Sequence, residues 1–416
     1  MKFKVLIIGQ VWPEPETTAA GVRIMQLIDF FIEELFEVHF ASTAMETAYS
    51  YALEKKGLLV YQIKLNDSEF DSWIADLNPT LVVFDRFVTE EQFSWRIKEN
   101  CVQALRILDS EDLHFLREAR RMALNNSQSA DFRDHLNNDI ARREISSIYR
   151  SDLTLIISEF EYELLTEEFK ISDDLLQYLP FMMGNSGMAS KRAQEVPDFS
   201  SRSDYMSIGN WKHGPNKDAF GYLKSHIWPL IRKEQPQAKL HIYGAYGLDA
   251  DQKMQDLPNG FVVHGWAPEK KDAFQKHRVC LAPLRFGAGL KGKLFYAMNY
   301  GTPSVTTSVG AEGINGSYPW PGFIEDDPEK TAAKAIQLYQ DEDTWKTSQN
   351  NGFQVLKKRF QKDALSSSFK TRIFNAIENK EALRKLNFIG SILWQNSMLS
   401  TKYLSKWIEA KNRSQE

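Results

Sequence analysis

Short apolar runs alternate with longer amphipathic stretches along this chain. In the first half, the runs Lys4–Ile8, Val38–Ala41, Leu81–Phe84, Leu105–Leu108 and Leu153–Ile157 predict buried strands, and stretches such as Val22–Phe36 and Glu91–Glu99 predict helices between them. Such a β-α alternation makes a parallel, doubly wound sheet, because each helix carries the chain back to the edge from which the next strand starts. The alternation breaks at Met182–Asp204, which is polar, rich in serine and glycine and without periodicity. It restarts with Tyr205–Ile208, Lys239–Tyr243, Phe261–His264, Val279–Pro283 and Ser304–Thr307. The pattern predicts an α/β chain of two Rossmann-like domains, 1–181 and 205–372, joined by a linker at 182–204 and followed by a helical tail at 373–416.

The tail has its own pattern. Phe388, Ile389, Ile392, Leu393 and Trp394, then Leu399, Tyr403, Leu404 and Trp407, recur at helical spacing, and from Asn379 onward basic residues outnumber acidic ones. Two expectations follow: a helix that packs back across the first domain, or a basic amphipathic element that touches an anionic inner-membrane surface.

Composition narrows the class. At 416 residues, 43% hydrophobic and 25% charged, the chain exceeds one comfortable core and is neither fibrous nor disordered. A net charge of −4 and the lack of a nucleic-acid motif argue against a nucleic-acid partner. The opening MKFKVLIIGQVWP is too short an apolar run to span a membrane and has no small-residue cleavage site, so it reads as a buried first strand. Cys101 and Cys280 lie far apart without metal-ligand spacing. A cytoplasmic protein without a structural disulfide is expected.

The densest chemistry lies between Leu281 and Ile314. After an apolar strand, Gly287 and Gly289 relieve backbone crowding, and a helix begins near Lys291 and Lys293 with unpaired N–H groups and its positive dipole end. This arrangement suits a phosphate. The helix stops at Gly301-Thr-Pro, and Ser304–Thr307 predicts a strand followed by a second small-residue loop through Gly313. Both loops fall at one end of a parallel sheet, where open α/β folds bind ligands.

The segments G-A-G-L-K-G-K and A-M-N-Y-G-T-P-S-V-T-T-S-V-G-A-E-G resemble the nucleotide-sugar half of the retaining glycosyltransferases of family 4 (group 1). These have the GT-B fold, two Rossmann-like domains facing across a cleft. Gly209-Asn-Trp-Lys-His-Gly-Pro-Asn216 is similar to the family's first phosphate-side loop, Ala19-Ala-Gly-Val-Arg23 to its acceptor loop, and Asp112-Leu-His114 to its D-x-H element. The resemblance implies transfer of a sugar from a nucleotide-sugar donor to a glycan or lipid-linked acceptor with retention of configuration, without a cofactor. It implies donor contacts from Asn210, His213, Asn216, Arg285, Gly287, Gly289, Tyr296 and Glu312, and acceptor contacts from Gly21 and Arg23. Lys291 and Lys293 would stabilise the departing diphosphate, and His114 would complete the catalytic set. In the resembling enzymes the departing phosphate itself is thought to take the acceptor proton, so no dedicated base is required.

Tyr296 departs from the pattern. The family usually carries a glutamate there, whose two oxygens accept from both ribose hydroxyls; a phenol makes one such bond and carries no charge at neutral pH. The departure keeps open a catalytically inactive GT-B module that binds a nucleotide or a protein partner, beside a GT-B-fold sugar epimerase. Asp249-Ala-Asp251 and Asp341-Glu-Asp343 have a D-x-D form but read as helix caps, so no essential metal is expected.

Overall fold

The computed structural model describes residues 2–126, 131–183, 196–247 and 252–414. Seven parallel strands form the first sheet: β1 Lys4–Gly9, β2 Glu37–Ser42, β3 Leu59–Gln62, β4 Leu81–Asp85, β5 Leu105–Asp109, β6 Leu153–Ile156 and β7 Leu176–Tyr178, in the spatial order 3-2-1-4-5-6-7. Six more form the second: β8 Ser203–Ile208, β9 Leu240–Tyr243, β10 Phe261–Gly265, β11 His277–Ala282, β12 Ser304–Thr306 and β13 Gly322–Ile324, in the order 10-9-8-11-12-13. Each order reverses direction next to its first strand. The crevice at such a reversal is where doubly wound sheets hold ligands.

Helices cover both faces of the first sheet, which explains why its strands read as unbroken apolar runs. Leu6, Ile8, Val82, Phe84 and Leu108 point into one core, while Val5, Ile7, Leu81, Val83 and Ile107 point into the other. In the second sheet Tyr205, Ile242, Val279, Leu281 and Val305 share a core with Trp211 and Trp345. The first helix runs Ala19–Glu33 and so starts ahead of the expected Val22, because the Thr18 hydroxyl caps it by accepting from the Gly21 N–H at 2.9 Å. Of the expected linker, residues 184–195 lie outside the described residues.

The chain's end returns to the first domain. One continuous helix spans Lys362–Leu386, so the expected boundary between 372 and 373 falls inside it. Phe369 and Ile373 are fully buried in the first domain's core, with the Phe369 ring 4.5 Å from that of Phe30. A last helix, Phe388–Arg413, lies against the helices Arg86–Asn100 and Asp139–Arg150, and Trp394 Nε1 donates to the Arg150 carbonyl at 3.1 Å. Below it, Asp152 takes hydrogen bonds from Arg106 and Arg384. Burial alone would raise that carboxyl, but the two guanidinium groups hold it at about 2.

Candidate functional site

The C-terminal ends of both sheets open into one cleft of about 450 Å³ between the domains. On the second domain, Gly287 (φ +152°) and Gly289 (φ +63°) turn the chain after β11 through left-handed conformations that side chains disfavour. Lys291 immediately precedes the helix Gly292–Asn299, and Lys293 lies in its first turn. Lys291 Nζ donates to the Gly289 carbonyl at 2.8 Å, and Lys293 Nζ to Asn216 Oδ1 at 2.8 Å. Asn216 in turn donates to the Asn210 carbonyl at 3.0 Å, so that through Lys293 the segment after β8 is tied to the one after β11. A side chain at Gly209 would strike Asn216, so the glycine keeps this tie short. Burial lowers both ammonium groups to about 8. They are cations at neutral pH with little water around them, and an anion entering the cleft would take the place of that water. Asn210, His213 and Asn216 line the same cleft.

The facing wall comes from the first domain. His114 begins the helix His114–Asn126, with its ring edge-on to Phe87 and its Nε2 3.3 Å from Asp112 Oδ1. Burial opposes the charge on Asp112, but Arg117 and His114 outweigh it and hold the carboxyl well below its usual range. Arg86, Glu111 and Arg117 also line the cleft and were not expected from the sequence. Arg86 follows β4 directly, and Glu111 and Arg117 flank the D-x-H element, so position at a strand end was the available signal.

Four expected ligands are engaged elsewhere. Gly21 is packed against a neighbouring turn, since a Cβ there would meet the Glu14 backbone at 2.4 Å, and it does not line the cleft. Arg23 is buried, donating to Asp109 at 2.8 Å and to the Leu179 carbonyl at 2.5 Å, so it holds the sheet end together and does not reach a substrate phosphate. Arg285 lies outside the cleft lining, where it pairs with Asp218 and stands over the Tyr222 ring. Glu312 is likewise away from the lining and forms a two-pronged ion pair with Arg120 of the first domain.

Tyr296 lines the cleft, and burial pushes its hydroxyl pKa up, so it stays neutral. Lys270, which sequence reasoning missed, sits over its ring at 4.7 Å, with Nζ 3.4 Å from the hydroxyl and 2.6 Å from the Pro15 carbonyl of the first domain. A further contact across the domains is made by Glu161: its Oε1 accepts from the Leu113 N–H at 3.0 Å and the Gly289 N–H at 2.7 Å. Burial raises that carboxyl to about 7. Among the described residues no three His, Cys, Asp or Glu side chains gather as a metal-binding set; Asp249-Ala-Asp251 lies outside the described residues. Asp341 caps the helix Glu342–Arg359 by accepting from the Thr344 N–H at 3.1 Å.

Two parallel, doubly wound sheets facing across a cleft, with a C-terminal helix returning to the first, define the GT-B fold. Residues 202–341, the segment that contains the lysine loop, match the family model described as glycosyl transferases group 1. Similar solved structures include a glycosyltransferase from Rickettsia africae (TM-score 0.64, 12% identity, covering 90% of this chain and 98% of that one). Anabaena HepE in complex with UDP and glucose superposes with TM-score 0.63 at 12% identity, over 89% of this chain and 99% of that one. The sucrose-phosphate synthase of Thermosynechococcus elongatus gives 0.65 at 14% identity, over 90% and 100%. At such identities the likeness is one of fold. No curated protein matches the chain by sequence.

Proposed function

We propose that this chain transfers a sugar from a nucleotide-sugar donor to a glycan or lipid-linked acceptor in the cytoplasm, with retention of configuration. The observation that carries the reading is the pair of ammonium groups, Lys291 buried and Lys293 partly so, at a helix start in the interdomain cleft. Breaking a sugar–phosphate bond leaves negative charge on the departing diphosphate, and fixed cations and helix N–H groups in a water-poor cleft stabilise that charge without reorganising. In this reading the second domain holds the donor and the first holds the acceptor, which His114 orients from the opposite wall. The departing phosphate oxygen takes the acceptor proton on the face where the new bond forms, which accounts for retention. The lysines supply the positive charge, so the reaction requires neither metal nor cofactor.

Because the Anabaena protein was solved with UDP and with UDP-glucose, uridine diphosphate is the first probe. Calorimetric titration with a panel of nucleoside diphosphates, followed by an assay for sugar release from the matching nucleotide sugars, tests the proposal. Binding with turnover supports it. Failure of every nucleoside diphosphate to bind contradicts it.

Tyr296 favours a second reading, an inactive module that binds the nucleotide without turnover. Its hydroxyl shares Lys270 with the Pro15 carbonyl, where the resembling enzymes place a ribose-binding carboxylate. Binding without any sugar release selects this alternative.

A further inference from the structure

The last helix is apolar on two opposite sides, and the fold uses only one of them. Gly390, Trp394, Met398 and Ser405 face inward, and Trp394 and Met398 gather with Trp95 of the first domain. On the other side Phe388 is 70% exposed, Tyr403 63%, Trp407 60% and Ile389 51%, with Ile392 and Leu399 also exposed. At about 100° per residue these six side chains fall within an arc of roughly 100° opposite Trp394. Single apolar residues are normal on a protein surface, but six exposed apolar side chains on one face of one helix, three of them aromatic, mark an interaction surface.

Within this stretch of chain the charge has one sign. No aspartate or glutamate occurs from residue 382 through residue 408, whereas Arg384, Lys385, Lys402 and Lys406 do. Arg384 is held by Asp152 and Lys402 by Glu99. Lys385 and Lys406 are exposed, and among the described residues neither has a carboxylate partner. Among those residues no helix is long and apolar enough to cross a membrane. A surface of this kind lies on a membrane and does not span it.

We propose that this helix face docks on an anionic lipid bilayer, with the stripe from Phe388 to Trp407 entering the boundary between headgroups and acyl chains and Lys385 and Lys406 against lipid phosphates. Exposed aromatic rings suit that boundary, and lysines beside them meet the charge they lack on the protein. A second copy of the chain fits less well. A two-fold interface would bring the same lysines together with no acidic residue on the face to neutralise them. The inference is independent of the sugar-transfer reading, although it puts the membrane surface on the domain assigned to the acceptor.

Sedimentation of the full chain with phosphatidylcholine vesicles, with and without phosphatidylglycerol, tests it. The wild type is expected to bind the anionic vesicles, more weakly at high salt, and to leave the neutral ones largely free. Ile392→Ser/Trp407→Ser is expected to lose about tenfold or more in vesicle affinity at an unchanged melting temperature, since both side chains point to solvent. Lys385→Glu/Lys406→Glu, which removes no apolar surface, is expected to lose binding to anionic vesicles by a similar factor and serves as the test should the first variant fold poorly. Wild-type protein that stays in the supernatant with every vesicle, or that binds neutral and anionic vesicles equally, would overturn the proposal. So would a dimer seen by light scattering that Ile392→Ser/Trp407→Ser dissociates.

Discussion

Arg120 and Glu312, 192 positions apart, meet between the two domains through two parallel N–H···O bonds of 2.9 and 2.5 Å. The same guanidinium donates to the Gly287 carbonyl at 2.7 Å, so one first-domain side chain holds both small-residue loops of the second. Glu312→Ala leaves Arg120 buried without its partner and is expected to destabilise the protein by roughly 2 kcal/mol. Arg120→Ala/Glu312→Ala should recover part of that loss, because neither charge is then stranded. Thermal unfolding of the two single variants and the double variant measures the coupling. Additive losses would show that the pair is solvent-screened.

The lysines give the site a pH dependence of definite sign. Burial lowers Lys291 and Lys293 from the usual 10.5 to about 8, so the cationic form that an anion needs is present below pH 8 and lost above it. Nucleoside-diphosphate affinity is therefore expected to fall by about tenfold or more between pH 7 and pH 9. Stability of the free protein moves the other way, rising between about pH 8 and 10.5, since the unfolded chain then binds protons that the folded one has released. Calorimetric titration at the two pH values checks the first statement. An affinity that is flat across that range would remove the lysines from the anion site.

His114 is expected to matter for turnover and little for the nucleotide. It lies on the first-domain wall against Asp112, while the lysine loop belongs to the second domain. His114→Ala should depress sugar transfer by about a hundredfold or more and leave the calorimetric affinity for a nucleoside diphosphate nearly unchanged. Equal losses in both would place His114 in the nucleotide contacts and end the division of labour between the domains.

Tyr296→Glu restores a two-oxygen acceptor where the resembling enzymes carry one, within reach of Lys270. Donor binding is expected to tighten by roughly tenfold, the worth of one recovered charge-assisted hydrogen bond. A panel of nucleoside diphosphates titrated against wild type and variant decides it, and no gain with any of them means that the pocket is built around tyrosine.

The buried strands were legible because helices cover both faces of the sheets, which turns each strand into an uninterrupted apolar run. Strands β3, β7 and β13 were not, since they lie at sheet edges, are short, and carry partly exposed residues such as Leu59 and Ile324. The glycine turn, the two lysines and the helix start after β11 were also legible, because they are local features. Local sequence could not tell whether Arg23, Arg285 and Glu312 would reach a ligand. Each is captured by a partner distant in the chain, Asp109, Asp218 and Arg120 respectively, and a buried or bidentate partner outcompetes a cleft for a charged side chain. Gly21 was misread for the same reason: its bare face is filled by Glu14, which comes close only once the loop after β1 has folded.

The central claim is that Lys291 and Lys293 form the anion site of a nucleotide-sugar enzyme, and Lys291→Ala/Lys293→Ala tests it most directly. Calorimetry with uridine diphosphate, or with whichever nucleoside diphosphate the wild type binds, should show most of the affinity gone, while the melting temperature of the free protein stays nearly the same. Affinity that survives to within about twofold, less than 0.5 kcal/mol on the tenfold-per-1.4 scale, would contradict the account and put the nucleotide site elsewhere.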